Sequence, residues 1–313
     1  MKNSRSSVTP IRNALSVAVV FAIHSTATYA DNSVAENANQ VDQLDTISVT
    51  ANRNEEASLD VPATISVVDN KTIELAQPNY QKELLNSVSG VRVTQTGSSL
   101  GHKTSIRMPL NTGPYYLFLQ DGIPVQSSGF FNHNGLAYTN FSSAGSAEVL
   151  KGAGTALYGS DAVAATINII SNDPSQTDGY KVKADTGSDG FYKLGVQGGA
   201  QFSEDSSVGV ALSHAKSDGW RDHTSSERTE ATATHFMNIN DSNVLKTVLS
   251  VNATEADMAG SLIGLDELEN NPESVGDIAD ALDAGMEVQR KFNFARLSTE
   301  WTHFATDSVA LST

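Results

Sequence analysis

The residues whose spacing first suggests chemistry are Gly152, Gly154 and Ser160, where backbone N–H groups could cradle a phosphate. The pattern fails on both known templates. The third glycine of a dinucleotide fingerprint would fall at Leu157, and no lysine precedes Ser160 as a P-loop requires. Catalytic patterns are missing too: the chain has no cysteine, no H-E-x-x-H and no G-x-S-x-G, and His102 and His133 lie in separate loops with no neighbouring base or nucleophile. Disulfides and thiolate metal sites are therefore excluded, and neither an enzyme nor a bound metal or cofactor is expected. Binding chemistry remains. Residues 97–103 (GSSLGHK) and 126–134 (QSSGFFNHN) hold His102, Lys103, Gln126, Phe130, Phe131, His133 and Asn134. Aromatic rings with a few hydrogen-bonding groups suit a bulky ligand. Phe130 and Phe131 could equally anchor their loop by packing, and a lone loop histidine is more often a polar residue than a metal ligand.

The elements that would position these loops can be read from local pattern. Residues 148–151 (EVLK) form a short strand, 152–154 (GAG) a turn, 155–158 (TALY) one helical turn ended by Gly159, and 166–170 (TINII) a second strand. Earlier in the chain, 61–69 (VPATISVVD) reads as a strand, 71–77 and 80–85 as short helices, and 115–119 as a strongly apolar strand. Residues 126–140 read as a loop.

Beyond Pro174 the pattern changes to period 2. Tyr192, Leu194, Val196, Ala200 and Phe202 alternate with Lys193, Gln197 and Gln201, and Leu245, Leu249 and Val251 with Lys246, Ser250 and Asn252. Seven strands are expected, near 179–187, 191–203, 207–217, 229–240, 243–255, 289–302 and 308–313. Their connections alternate between tight turns (203–206, 240–243, 305–308) and long loops (217–228, 256–288), as in an outer-membrane barrel. A soluble sandwich would show similar strands without needing the one-sided loop lengths.

The N-terminus carries Lys2, Arg5 and Arg12, then an apolar run over 14–23 and a small-residue site ending at Ala30, which is a secretory signal peptide over residues 1–30. Polar residues 31–44 read as a flexible arm. Asp45, Thr46, Ile47, Ser48, Val49, Thr50 and Ala51 form a β-prone heptapeptide on that tether, able to add a strand to a partner's sheet edge. The formal charge of −16 disfavours nucleic acid, which needs a basic face. Residues 266–287 hold eight acids and no Lys or Arg. Ile278, Ala279, Leu282 and Met286 fall there at helical spacing, and the acids match no calcium-loop spacing. A solvated acidic loop is the plainer reading beside cation bridging to lipopolysaccharide.

EVLKGAGTALYGSDAVAATINII (148–170) resembles the closing segment of the plug domain of TonB-dependent outer-membrane receptors, with Lys151, Ala153 and Ala164-Ala165 as mild departures. The resemblance extends to 83–93, where Ser89 replaces the usual proline, to 104–108, and to Asp121-Gly122-Ile123-Pro124. It implies a mixed α/β plug domain followed by antiparallel transmembrane β-barrel strands, about seven here, with the chain an N-terminal fragment of a larger barrel. The domains implied are a signal peptide (1–30), an arm (31–52) with the TonB box at 45–51, a plug (53–174) and the first part of the barrel (175–313). It further implies that 97–103 and 126–134 form the ligand-facing apex and that Arg107, Glu148 and Lys151 hold the plug to the barrel wall, with acidic partners for Arg107 and Lys151 partly in strands beyond these seven; surface-exposed charges are the alternative. The partners implied are TonB, outer-membrane lipid and a small ligand, foremost an iron–siderophore complex. Haem or vitamin B12 import through the same machinery, or a passive porin-like barrel, stand as alternatives. The location implied is the Gram-negative outer membrane, with plug and arm on the periplasmic side.

Overall fold

The computed structural model describes residues 47–48, 56–57, 63–98, 100–126, 129, 132–177, 179–306 and 309–313. The expected signal peptide (1–30) and arm, with Asp45, Thr46, Val49, Thr50 and Ala51, lie outside the described residues. Of the heptapeptide, Ile47–Ser48 forms β1, which pairs antiparallel with β2 (Glu56–Ala57) in the register Ile47↔Ala57 and Ser48↔Glu56.

The plug begins with β3 (Thr64–Val68), α1 (Asn70–Ala76) and α2 (Gln81–Asn86). Asp69 caps α1 by accepting from the Thr72 N–H at 2.8 Å. The Glu83 carboxylate reaches back to the N–H groups of Asn79 and Tyr80 at the start of α2, which turns Leu84 and Leu85 into the core. The hairpin β4 (Val91–Thr96) and β5 (Gly101–Ile106) follows. Then come β6 (Tyr116–Gln120), β7 (Ile123–Pro124), a 3₁₀ segment at Asn132–Tyr138, β8 (Ala144–Lys151), α3 (Thr155–Tyr158) and β9 (Ala165–Ser171). The sheet order is β3-β8-β9-β6-β7, and β6–β9 is its one parallel pairing. All five residues of β6, YLFLQ, are buried, as a strand covered on both faces demands. Around it pack Leu84, Leu85, Ile106, Val149, Ile167 and Ile169.

The turn after β8 divides its work between two glycines. Gly152 takes φ +129°, which a side chain would oppose, whereas a Cβ on Gly154 would press on Thr166 Oγ1 at 2.8 Å. One supplies conformation and the other allows close approach.

The second part is a seven-stranded antiparallel meander: β10 (Gly179–Thr186), β11 (Tyr192–Ser203), β12 (Ser206–Ser217), β13 (Ser226–Asn240), β14 (Asn243–Asp257), β15 (Gln289–Thr306) and β16 (Val309–Ser312). Its two faces are inverted relative to a water-soluble sheet. The buried face carries Ser207, Ser213, Glu230, Thr232, Thr234, Ser250, Asn252 and Thr254, while Val182, Leu194, Val196, Leu249, Leu297 and Trp301 are exposed. Asn252 on the inner face of β14 is 0% exposed, whereas Leu297 on the outer face of β15 is 70% exposed. Polar side chains facing in and apolar ones facing out are what a membrane barrel wall requires, and a sandwich would reverse them. The wall is an open sheet over these seven strands. Its long β14–β15 connection holds α4 (Gly264–Asn270) and α5 (Ala279–Asp283), so the acidic loop does contain short helices.

Candidate functional site: the plug–wall interface and its cavity

Two sets of buried polar contacts dock the plug on the inner face of the wall. The first is built by the β6–β7 turn. Asp121 (φ +51°) and Gly122 (φ +75°) both adopt left-handed backbone, as a two-residue type I′ hairpin needs. This aims the Asp121 carboxylate at the wall. It accepts from Lys246 Nζ of β14 at 3.0 Å and lies 3.7 Å from Arg296 Nη2 of β15. Ser171 holds the same carboxylate through its N–H (2.9 Å) and hydroxyl (2.8 Å). Arg296 also donates to the Gln120 carbonyl at 2.9 Å.

The second set involves residues 139–142. Glu230 of β13 accepts from the N–H groups of Phe141 (3.0 Å) and Ser142 (2.9 Å) and from Arg228 Nε (2.6 Å). Arg228 Nη2 donates to the Thr139 carbonyl at 2.6 Å. Asn140 donates to the carbonyls of Ala231 (2.9 Å) and Val251 (3.1 Å), and Asn252 donates to Asn140 Oδ1 at 3.2 Å. Each buried charge is thus paired and hydrogen-bonded, the condition under which burial is tolerated.

Above these contacts, at the end of the wall that carries the long loops, lies a cavity of about 460 Å³. The plug lines it with Asn79, Tyr80, Lys82 and residues 95–98. The wall contributes Asp189 and Phe191 from the β10–β11 loop and Trp220 and Arg221 from the β12–β13 loop. Tyr80 and Phe191 meet across it with ring centroids 5.6 Å apart. Lys82 Nζ donates to Gln95 Oε1 and lies 5.6 Å from the Tyr80 ring centroid. Burial lowers the pKa of this ammonium below the ordinary lysine range, opposed by the charge of Glu83.

The residues singled out from sequence fall in several parts of the plug. His102 is in β5 and buried. Its Nε2 accepts from the Leu136 N–H at 3.2 Å, so its proton sits on Nδ1, which donates to Thr104 Oγ1 at 3.1 Å. The imidazole is a neutral cross-brace between β5 and the 3₁₀ segment, with both nitrogens engaged. Lys103 is exposed on β5. Gln126 is half-buried, and its amide atoms have no hydrogen-bond partner among the described residues. Phe130 and Phe131 lie outside the described residues, as do the side chains of His133 and Asn134, whose backbone is in the 3₁₀ segment. Arg107 and Lys151 are the two plug cations expected to pair with the wall. Among the described residues their hydrogen bonds stay inside the plug: Arg107 to Thr64 Oγ1 (3.0 Å), Lys151 to Ser66 Oγ (2.9 Å) and the Ser89 carbonyl (2.6 Å). Both heads sit at the β3–β8 edge, where hydroxyls and carbonyls are at hand, whereas β13–β15 meet the β6–β7 turn and residues 139–142. Glu148 is buried in β8. The residues that do join plug to wall were passed over because Glu230 and Asn252 look like ordinary inward positions of alternating strands. Arg228 and Glu230 at i and i+2 were the one available signal.

A compact α/β plug docked on the polar inner face of an antiparallel wall with an apolar outer face defines a plugged membrane β-barrel. Residues 57–166 match the TonB-dependent Receptor Plug Domain family model. Over those residues the chain is similar to the plug of TonB-dependent receptors. It is similar to the vitamin B12 transporter BtuB of Vibrio vulnificus (strain CMCP6), 35% identical over 156 residues that cover 49% of this chain and 25% of the relative. BtuB of Vibrio cholerae (strain O395) is 31% identical over 188 residues, covering 59% and 30%. The chain spans about a quarter to a third of the length of these curated relatives. Among solved structures, P. aeruginosa FpvA bound to heterologous pyoverdines superposes with a TM-score of 0.65 at 17% identity, over 84% of this chain and 35% of that one. The unliganded ferric citrate transporter FecA gives 0.62 at 17%, over 78% and 38%. These two likenesses bear on the fold alone.

Proposed function

We propose that this protein is an outer-membrane receptor that imports a scarce, bulky metal chelate, with energy delivered by TonB to the strand-prone segment 45–51. The observation that carries the reading is the plug docked on the inverted wall. A passive porin has no use for an inner face neutralised by a second domain through Asp121, Glu230 and Asn140. The leader-like residues 1–30 support export, and the apolar outer face supports contact with outer-membrane lipid. The long loops then face outward, and the tight turns, the plug's lower side and the arm face the periplasm. The ligand is a ferric siderophore or a corrinoid. The first suits the aromatic and polar residues of 126–134, and the second is favoured by 31–35% identity to vitamin B12 transporters. Growth of a deletion strain on single sources of iron (ferric siderophores, haem) and of cobalamin tests the reading. Loss of growth on one source only is expected. Unimpaired growth on all of them would contradict import.

A further inference from the structure

The seven wall strands hold the plug unevenly. On β13–β15 its contacts are buried: Asp121 with Lys246, Glu230 with two plug N–H groups, and Tyr138 against Phe292 and Phe294 at ring-centroid distances of 4.8 and 5.8 Å. On β10–β11 lies a different segment, α1 and the residues up to Tyr80. α1 buries none of its residues, and Leu75 is 77% exposed. The segment meets the wall through Glu74, which pairs with Lys181, and through the Pro78 carbonyl, which accepts from Lys193 Nζ at 3.4 Å. Tyr80 then packs against Phe191. The Glu74 and Lys181 side chains are 44% and 55% exposed, and an ion pair so open to water holds weakly. The flanks are firmer, since Val68 before the segment and Leu84 after it are buried in the plug core. Gln77 ends α1 at a left-handed φ of +43°, which is costly for a residue with a Cβ, so a change to extended backbone there is locally favourable.

The wall beneath this segment leaves room. Facing residues on the inner side of β11 and β12 are small: Gly195 stands opposite Ser213, and Ala215 opposite Lys193. A second cavity, of about 60 Å³, lies between residues 79–81 and Lys193, Ser213 and Ala215. It adjoins the large one at the long-loop end, with which it shares Tyr80 and Phe191. Toward the tight turns the linker from plug to wall closes off β11 and β12. A Cβ on Gly199 would meet Thr177 at 2.9 Å, and one on Gly209 would meet Pro174 at 3.1 Å. At the start of β10 the covering element is α1, through Glu74 on Lys181.

We propose that residues 70–80 are a strap across the way past the plug along β10–β11, and that the Glu74–Lys181 pair is its clasp. The clasp opens, the strap lifts between Val68 and Leu84, and cargo passes while the β6–β7 turn and residues 139–142 stay docked on β13–β15. This deepens the import reading and rests on it. The opening falls on this side of the plug because lifting the strap separates one exposed ion pair. Opening at β13–β15 would strip buried charges of their partners.

The test uses cells producing the full-length receptor with no other cysteine in it. Two double variants are made, Glu74→Cys with Lys181→Cys and Asp121→Cys with Lys246→Cys. Each pair is bridged with a short bis-methanethiosulfonate, whose links a reductant cleaves, and bridging is read as altered migration on a gel. Binding and uptake are measured with radiolabelled ferric citrate, a ferric tricatecholate and cyanocobalamin, using whichever of them wild-type cells import. The bridged Glu74→Cys/Lys181→Cys receptor should bind like its reduced form and import no more than a deletion strain, with import restored by reductant. The bridged Asp121→Cys/Lys246→Cys receptor should import like its reduced form. Import by the bridged Glu74→Cys/Lys181→Cys receptor overturns the strap and leaves the import reading standing. So does a block in the bridged Asp121→Cys/Lys246→Cys receptor, or failure of the first pair to bridge in assembled receptor. Import of none of the three probes by wild-type cells overturns the import reading itself, and the strap with it.

Discussion

Asp121, at the tip of a two-residue hairpin in the plug, accepts a hydrogen bond at 3.0 Å from Lys246, which sits 125 residues later on a wall strand. With Arg296 at 3.7 Å from the same carboxylate, the turn becomes an electrostatic latch between plug and wall. Asp121→Asn keeps a residue that tolerates left-handed backbone and removes only the charge. It leaves two wall cations without their carboxylate and should cost about 3 kcal/mol in plug docking. Limited proteolysis of the assembled receptor checks this. Faster cleavage within the plug, with wall migration on gels unchanged, is the expected outcome.

Glu230 serves the second attachment, where it satisfies two plug N–H groups and Arg228 at once. Glu230→Ala should destabilise the assembly by about 3–5 kcal/mol, because it orphans a buried guanidinium and two donors. Glu230→Gln retains a carbonyl acceptor and should lose less. Thermal denaturation in detergent, reporting Tm, ranks the two. Equal Tm values would remove Glu230 from the anchor.

Leu249 and Leu297 face each other across β14 and β15 on the outer face. If lipid covers that face, Leu249→Lys costs about 2–4 kcal/mol near the bilayer midplane, whereas in water an exposed lysine would be nearly neutral. The yield of heat-modifiable receptor in outer membranes should fall for Leu249→Lys and hold for Leu249→Phe.

His102→Ala should destabilise the plug and leave ligand preference as it is, since both ring nitrogens are used inside the fold. The check is a pair of measurements on one variant: a lower Tm with the rank order of chelate affinities unchanged. A changed rank order would return His102 to the recognition surface.

Much of the fold was legible because its signals are local. Period-2 alternation and tight turns marked seven wall strands within a few residues of their observed bounds, and apolar runs such as 115–119 and 166–170 fell on β6 and β9. The strand β5 was hidden because Gly101-His102-Lys103 has neither β-branched residues nor alternation. Its pairing with Val91–Thr96 is a tertiary decision. The same holds for the 3₁₀ turn within 126–140, which the glycines at 129 and 135 made look irregular throughout. The site was less legible still. Which charge meets which depends on where wall strands pass the plug, and no local pattern marks Asp121, Glu230 and Asn140 as the residues that meet β13–β15. The cavity joins segments more than 100 residues apart, Tyr80 and Lys82 with Phe191 and Trp220, and no spacing along the chain announces that.

In the proposed function, import depends on energy passed through the strand-prone segment that contains Ile47. Proline there removes a ladder donor and restricts φ, so it should block pairing with a partner's strand without touching the cavity. The direct measurement is uptake of a radiolabelled chelate by cells producing full-length wild-type or Ile47→Pro receptor, with binding to the same cells measured in the cold. Binding equal to wild type with uptake reduced to the level of the deletion strain is the expected result. Wild-type uptake by the Ile47→Pro receptor would contradict it.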